Sequence, residues 1–382
     1  MLLSIKDMEL LRVLCWCKNM SADASDIFQN AYTQEDVLTL KHLDLVSVSR
    51  DKSILRPRPA AYKLLSDAGF DFTPDTKIQT NPKLLARRNI AAQILQTFKT
   101  AGISVFNYSL PRRIEKPLYV ASFAARQQDK GNPFGSTRFH GIFCTTQEAF
   151  LVYYVDSFGV FYQNELALFH NFIQATGISR CAIIMMGKST LEIAAAVLSE
   201  KDDKAKEKSR FKQDSFKRVF ETTTLPVHFI PLGDAGAQML KIMLNPDYRT
   251  ATAKAVLGKR YIPIYAGMTD SDAIHPMAPK NSGVVAVDMD VNRIDRALAS
   301  ARRAGFEKIA LYALQEQIPF LKNRYANEGV AEIFGINIDH IKSTIGFDIE
   351  LEKHPPAAYV TSEGRCFDVA DIANYRKAGR QN

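Results

Sequence analysis

The sequence lacks the marks of a membrane-spanning or secreted protein. No uninterrupted apolar stretch approaches the ~20 residues that a membrane-spanning helix needs. Residues 1–7 carry no basic region ahead of an apolar run, which a secretory signal would require. These absences predict a cytoplasmic protein that has no membrane partner.

Cysteine is scarce, and its positions do not form ligand pairs. The five cysteines are Cys15, Cys17, Cys144, Cys181 and Cys366. An odd number without the paired spacing of a zinc site predicts free thiols in a reducing compartment. The seven histidines are likewise scattered rather than spaced as ligands. We therefore predict no metal site, no cofactor and no catalytic set, which favours a non-catalytic protein.

The chain has an ordinary globular composition with an excess of positive charge. Hydrophobic residues make up 46% of the 382 residues and charged residues 24%, which is typical of a chain with two or three folded domains. The formal net charge of +8 favours a polyanionic partner, although many basic proteins bind no nucleic acid.

The first 70 residues show helix signals followed by a basic, turn-rich ribbon. Apolar periodicity and capping residues predict helices at 5–20, 21–29, 33–46 and 60–68, with Asp7 capping the first turn. Between the last two helices, residues 47–59 alternate and turn as a small hairpin does. This order predicts a winged helix-turn-helix domain, with the third helix as the recognition helix.

The predicted DNA contacts are polar residues of the third helix and cations of the ribbon. An apolar stripe buries one side of that helix, and its other faces are left for a DNA groove. The predicted contacts are Gln34, Thr39, Lys41 and His42 on the helix, and Arg50, Lys52, Arg56, Arg58 and Lys63 in and after the ribbon. Glu35 and Asp36 oppose base contact at the helix start, unless they serve as caps. The expected partner is double-stranded DNA, and a homodimer is left open.

From residue 83 onward the pattern becomes that of a mixed-sheet α/β protein. A helix is predicted at 83–101 and a strand at 103–106, followed by alternating strands and helices. The predicted division is a winged-helix domain at 1–75, a connecting helix at 76–102, an α/β domain at 103–258, a second α/β unit at 259–353 and a loosely packed tail at 354–382.

One short motif resembles the end of a phosphate-binding loop. Gly187-Lys188-Ser189-Thr190 follows an apolar strand and opens a helix. The complete motif needs a glycine five positions earlier, where this chain has Ala182, and the intervening residues are bulky and apolar. Asp288 would be the magnesium-holding acid of such a site. We favour a plain strand-to-helix turn.

A second pattern has the form of the strand pair of a nuclease. Such sites place an acid before a glycine, and an acid with a lysine on the next strand, to hold Mg²⁺. Here His140 precedes Gly141, and the next strand offers only Asp156. A degenerate nuclease-like core is therefore one interpretation, in which His140 is a hydrogen-bonded sheet residue. A metal-dependent nuclease using Asp156 stays an alternative, as does a non-catalytic interaction scaffold or transcriptional regulator.

The N-terminal part resembles the replication-relaxation family of plasmids and conjugative elements of Gram-positive bacteria. The resemblance rests on the helix order, the Leu-Lys-His-Leu pattern at 40–43, the basic wing, and Ala60-Ala61-Tyr62-Lys63-Leu64-Leu65 before Ala68-Gly69-Phe70. The strand at Arg138-Phe139-His140-Gly141 is similar in layout to the nuclease-like second half suspected in that family. The resemblance implies a sequence-specific DNA-binding accessory protein acting in replication, DNA relaxation or transfer, with relaxase or replication proteins as partners. It gives no assignment after Lys259.

Overall fold

The computed structural model describes residues 2–21, 34–50, 54–70, 81–126, 137–155, 160–198, 214–263, 271–274, 281–325, 330–352, 358–361 and 366–368. The chain forms two compact units, which are considered separately. Unit 1 comprises Met1–Phe106 with Leu351–Asn382, and unit 2 comprises Asn107–Glu350. The fold class is α/β, as predicted, with helices and mixed sheets.

Unit 1 combines helices with two small antiparallel sheets. Its elements are β1 (Leu2–Ser4), α1 (Ile5–Cys17), β2 (Met20–Ser21), α2 (Gln34–His42), β3 (Val46–Val48), β4 (Ile54–Pro57), α3 (Pro59–Asp67), α4 (Pro82–Thr100), β15 (Ala358–Thr361) and β16 (Cys366–Asp368). Helix α4 confirms the helix predicted at 83–101 to within one residue at each end.

Helix α1 is the centre of unit 1. Ser4 caps its start and exchanges hydrogen bonds with Asp7, so Asp7 completes a capping box three residues into the helix instead of capping the turn alone. More of α1 is buried than the single apolar face that the sequence predicted. Nine of its 13 residues are buried, and the helix packs against α3, α4, β4 and β15. Trp16 is fully buried and meets the ring of Phe106 edge-on, with centroids 5.6 Å apart.

Two of the predicted helices end earlier than expected. Helix α1 stops at Cys17 because Lys18 adopts a left-handed conformation (φ 71°), and Met20–Ser21 then pairs with β4. Helix α2 stops at His42, where Asp44 is left-handed (φ 59°), and Val46 begins a strand. The sheet order is β2-β4-β3, all antiparallel. The helix predicted at 21–29 falls mainly outside the described residues, so the winged helix stays a prediction.

Part of the C-terminal tail belongs to a sheet. Strand β15 pairs antiparallel with β1, which places Val360 opposite Leu3, and β16 pairs with β15. The prediction that residues 354–382 are loosely packed was therefore wrong for these two strands. Strand β15 is short, and its partner β1 lies more than 350 positions away in sequence. The sequence around β15 therefore carries no local pattern that predicts this pairing.

Unit 2 contains two five-stranded sheets, one in each predicted α/β segment. The elements of the first are β5 (Leu118–Ala121), α5 (Ser122–Ala125), β6 (Gly141–Cys144), β7 (Glu148–Tyr154), α6 (Tyr162–Gln174), β8 (Arg180–Gly187), α7 (Thr190–Leu198), α8 (Phe216–Thr222), β9 (Val227–Pro231), α9 (Asp234–Met243) and α10 (Tyr248–Leu257). Those of the second are β10 (Ile262–Pro263), β11 (Ala273–Ile274), β12 (Asn281–Val285), α11 (Val291–Arg303), β13 (Lys308–Leu314), α12 (Ile318–Tyr325), β14 (Val330–Ile336) and α13 (Ile338–Ile341).

The two sheets of unit 2 repeat one topology. In each, three antiparallel strands in sequence order are followed by two parallel strands that are joined through helices. Strand β8 is buried from Ala182 to Met186, as expected for a parallel strand that is covered on both faces.

The repeat extends to individual hydrogen bonds. The backbone N–H of His140 donates to Val152 O (2.7 Å), and its ring Nδ1 accepts from the N–H of Tyr154 (3.1 Å). In the second sheet the N–H of Asp272 donates to Gly283 O (2.9 Å), and its carboxylate accepts from the N–H of Val285 (2.6 Å). His140 and Asp272 therefore occupy equivalent positions, each one residue before the second strand of its sheet.

Two further sequence predictions need correction. Residues 103–106 form no strand among the elements of unit 1, although three of their side chains pack inward or partly inward. Helix α10 was not predicted, because its apolar residues are too few to give a clear helical stripe. Within the described ranges, no helix is both long enough and apolar enough to cross a membrane.

Gly236 lies at the contact between β9 and α9, and replacing it tests how tightly these two elements pack. A Cβ atom at Gly236 would lie 1.7 Å from the carbonyl oxygen of Pro231, a backbone atom that cannot turn away. We expect Gly236→Ala to lower the free energy of unfolding by about 3 kcal/mol or more. Gly305→Ala is the control, because Gly305 has φ 81° with open space around it and should cost only ~1–2 kcal/mol. Urea unfolding followed by circular dichroism measures both, and equal losses would contradict the packing argument.

Candidate nucleic-acid interface

Helix α2 is anchored by buried leucines and exposes the polar side that the sequence predicted. Leu40 and Leu45 are buried, and the N–H of Leu45 donates to Leu40 O (3.0 Å), which fixes the helix end against β3. Thr39, Lys41 and His42 are exposed. Leu38 is also exposed (53%), and an apolar side chain on such a face can contact a thymine methyl group.

The hairpin that follows α2 carries cations at both of its ends. Arg50 is exposed beyond the end of β3, and Arg58 is exposed directly after β4. Lys63 is exposed in the second turn of α3. The N–H of Arg58 donates to Leu45 O (2.9 Å), which brings Arg58 back beside the turn that ends α2. Lys41, His42 and Arg58 thus lie around one turn.

Arg58 is paired with Asp44, but the pair is held weakly. The Arg58 guanidinium donates to the Asp44 carboxylate, and the two side chains are 47% and 69% exposed. A pair as exposed as this one contributes less than about 1 kcal/mol, because water and salt screen it. A phosphate group that approached Arg58 would compete with Asp44 and can displace it.

The remaining predicted contacts are not equally available. Arg56 lies within β4 and is partly buried, with its Nε atom enclosed, so it is a poorer candidate for phosphate contact than Arg50 or Arg58. Gln34 is the first residue of α2, but its side chain is outside the described set. Lys52 lies wholly outside the described residues.

The motif at Gly187 forms a strand-to-helix turn. Strand β8 runs through Gly187, and the Ser189 hydroxyl accepts the N–H of Glu192 (3.2 Å) at the start of α7. A Cβ atom at Gly187 would lie 2.8 Å from the side chain of Ile193, so the glycine serves close packing. The turn interpretation is confirmed.

The nuclease-like strand pair supplies little metal-binding chemistry in the described part of the chain. His140 is buried and hydrogen-bonded within the sheet, as predicted, and Asp156 lies outside the described residues. Asp272, the carboxylate at the equivalent position of the second sheet, is bound by the guanidinium of Arg293 at 3.1 Å. No group of three or more His, Cys, Asp or Glu side chains suited to a metal occurs among the described residues.

Four cysteines with described side chains are free thiols, as the sequence predicted. Cys15, Cys17, Cys144 and Cys181 form no disulfide. Burial raises the pKa of Cys15, Cys17 and Cys144 to about 12, so these three groups stay protonated at neutral pH. A protonated thiol is a poor nucleophile and a poor metal ligand.

A buried charge cluster in unit 2 was missed by the sequence analysis. Asp288 is fully buried in the turn after β12 and accepts hydrogen bonds from Tyr248 and Arg249 of α10, with the Arg249 Nε at 2.9 Å. Asp290 caps α11 by accepting the N–H of Arg293 (3.1 Å) and lies 3.6 Å from Arg249. We call Asp288, Asp290, Arg249, Arg293 and Tyr248 the charge cluster.

The charge cluster also reaches the first sheet of unit 2. The ring Nδ1 of His228 lies 3.0 Å from Asp288 O, and the N–H of Phe229 donates to Met289 O (3.1 Å). Met289 is left-handed (φ 47°), which is costly for a residue with a long side chain. Strand β9 of one sheet and the turn after β12 of the other are thereby joined.

Arginine proximity keeps Asp288 ionised despite its burial. Burial alone would raise the pKa of Asp288, but the guanidinium of Arg249, followed by that of Arg293, holds it well below its usual value. Burial and the adjacent Asp288 carboxylate raise the pKa of Tyr248 well above its usual value, so Tyr248 remains a hydrogen-bond donor. The spacing Asp288-x-Asp290 beside a strand was the available sequence signal, but Tyr248 and Arg249 lie about 40 positions away.

Comparisons with known proteins supply no relative from which a function can be transferred. No family model, no curated protein and no solved structure matches the chain.

Replacing Asp288 tests the charge cluster. We expect Asp288→Asn to lower the free energy of unfolding by about 3–5 kcal/mol, because the guanidinium of Arg249 loses its nearest buried counter-charge. The pKa of Asp288 is lower in the folded than in the unfolded state, so its contribution is full above ~pH 5 and is lost as the pH falls through the lowered pKa. The difference from the wild type should be constant from about pH 5 to 8.

Asp295→Asn is the matched control. Its partner Arg324 and Asp295 itself are 27% and 37% exposed, so this loss should be near 1 kcal/mol. Equal losses in the two variants, measured by urea unfolding, would contradict a special role for Asp288.

Proposed function

We propose that the N-terminal part of unit 1 binds double-stranded DNA, with the exposed face of α2 in a groove and the hairpin cations on phosphates. The observation that carries the proposal is the gathering of exposed Lys41, His42 and Arg58 around the turn between α2 and β3. Arg50, beyond the end of β3, and Lys63, in α3, are further exposed cations of the same segment. Phosphate contacts require cations of this kind on a rigid support.

Packing supports the use of α2 as a reading helix. Its inward side is fixed by Leu40, and its outward side presents Leu38, Thr39, Lys41 and His42. These side chains combine hydrogen-bonding, cationic and apolar groups, which is the mixture that reads base edges. A helix presented beside a hairpin fits the winged-helix arrangement, which stays part of the proposal.

The wider role rests on the resemblance to the replication-relaxation family. The chain would act as a non-catalytic, sequence-specific accessory protein of a plasmid or conjugative element, together with relaxase or replication proteins. Cations at the end of a helix also stabilise that helix through its dipole, which is the purely structural alternative. A combined measurement of DNA binding and stability separates the two.

The first test removes two hairpin cations. We expect Arg50→Gln/Arg58→Gln to weaken binding to a mixed-sequence duplex about 10- to 100-fold at moderate salt, and to reduce the slope of log affinity against log salt by about 2. Fluorescence anisotropy over a salt series measures both quantities. The melting temperature should stay within a few degrees of the wild-type value, because both residues are exposed.

The matched control removes the same charge from unit 2. Arg303→Gln/Lys322→Gln changes two exposed cations and should leave the affinity and the salt slope unchanged. Equal weakening in both double variants would indicate a net-charge effect. Unchanged binding in Arg50→Gln/Arg58→Gln would remove the hairpin from the proposal.

The second test releases Arg58 from its acidic partner. Asp44 has φ 59°, a conformation that asparagine tolerates well, so Asp44→Asn should fold normally. Removing its negative charge should tighten DNA binding about 3- to 10-fold at low salt. Asp67→Asn, an equal charge change at an exposed residue of α3, should have a smaller effect. Weaker or unchanged binding in Asp44→Asn would contradict a DNA contact at Arg58.

A target site can be found by selecting bound sequences from a random DNA pool. A reproducible motif would support sequence-specific binding, and two symmetric half-sites would indicate a dimer. The Arg50→Gln/Arg58→Gln variant should retain the same motif with lower affinity, because phosphate contacts carry little sequence information. Recovery of random sequences only would limit the function to non-specific binding.

A further inference from the structure

Unit 2 contains a polar pocket with a volume of about 270 Å³ next to the charge cluster. Its walls come from the turn before β7, the start of β8, strand β9, the turn between α9 and α10, and the first turns of α11. Four arginines line it: Arg180, Arg249, Arg293 and Arg296. A pocket with several converging guanidinium groups is a recognised form of ligand site.

The arginines of the pocket fall into two pairs. Arg249 and Arg293 are fixed from behind by Asp288, Asp290 and Asp272. Arg180 and Arg296 are exposed, and neither forms an ion pair within the described part of the chain. One pair is therefore preorganised, and the other remains available to an incoming anion.

The ion pair of Arg249 is oriented with its positive end outward. The Arg249 side chain is 32% exposed, whereas Asp288 is 0% exposed, so the guanidinium faces the pocket and the carboxylate lies behind it. The N-terminus of α11, a helix of 13 residues, adds a further positive partial charge. Two acidic residues, Glu148 and Asp290, also line the pocket. Asp290 already accepts a hydrogen bond as the cap of α11 and lies beside Arg249.

Part of the lining is apolar. Phe150, Pro226, Leu244 and Pro246 line the pocket beside the arginines. A bare inorganic ion would leave this surface uncovered, whereas a molecule with a carbon body would cover it. The volume lies just below the usual range for ligand pockets, ~300–1,000 Å³, so the carbon body must be small.

We propose that this pocket binds a small organic phosphate, with the phosphate between Arg180, Arg249 and Arg296 and the carbon body against Phe150 and the two prolines. Planar guanidinium groups match the several oxygen acceptors and the charge of a phosphate better than they match a neutral ligand. The site is independent of the DNA surface proposed for unit 1.

The test is calorimetric titration of the full chain with three probes, namely inorganic phosphate, glycerol phosphate and adenosine monophosphate. Glycerol and adenosine are the uncharged controls, and sodium chloride holds the ionic strength constant. We expect saturable binding of at least one organic phosphate, tighter than that of inorganic phosphate, and no binding of the uncharged controls. No saturable binding of any phosphate probe would overturn the proposal.

Two double variants locate the binding. Arg180→Gln/Arg296→Gln leaves the charge cluster intact and should weaken the phosphate probe at least about tenfold. Arg302→Gln/Arg303→Gln removes two exposed arginines from the far end of the same helix and should leave binding unchanged. Equal weakening in both variants would indicate a general polyanion surface on α11, and unchanged binding in the first would place the ligand elsewhere. Either result would overturn the proposal.

Discussion

The ionised carboxylate of Asp288 is the constraint on which unit 2 depends. It is fully buried, and its charge is compensated mainly by Arg249 of α10 and also by Arg293 of α11. The same turn contacts β9 through His228 and Phe229, so the two sheets are joined where the charge is held. A buried ion pair adds little net stability compared with an apolar core, but it tolerates few alternative arrangements. The cluster therefore fixes the positions of Arg249 and Arg293, and these two arginines form part of the pocket wall.

The exposure of each arginine decides whether it serves as a fixed structural group or as a surface cation. Arg249 and Arg293 are tied to acids inside unit 2 and act as fixed parts of a wall. Arg58 has an acidic partner too, but that pair is largely exposed and therefore contributes little. Arginines thus form part of a fixed pocket wall in unit 2 and part of an exposed surface in unit 1.

The repeated topology in unit 2 shows how one scaffold supports different local chemistry. His140 and Asp272 make the same two hydrogen bonds at equivalent positions, yet one is an imidazole and the other a carboxylate. The carboxylate is bound by Arg293, whereas the imidazole is satisfied within its own sheet. The backbone accepts either side chain because both present an acceptor to the same N–H group. Conserved geometry therefore does not imply a shared activity.

The sequence by itself determined the α/β class, α4, the buried parallel strand β8 and the exposure of Thr39, Lys41 and His42, because these follow from local periodicity and composition. The ends of α1 and α2 were predicted wrongly. Lys18 and Asp44 take left-handed conformations there, and no pattern of apolar residues reveals them. Only the tertiary structure decided the pairing of β1 with β15, the repeat of the sheets and the charge cluster. Those features join residues that are distant in sequence, and their energies come from packing and buried charge, which a local pattern does not contain.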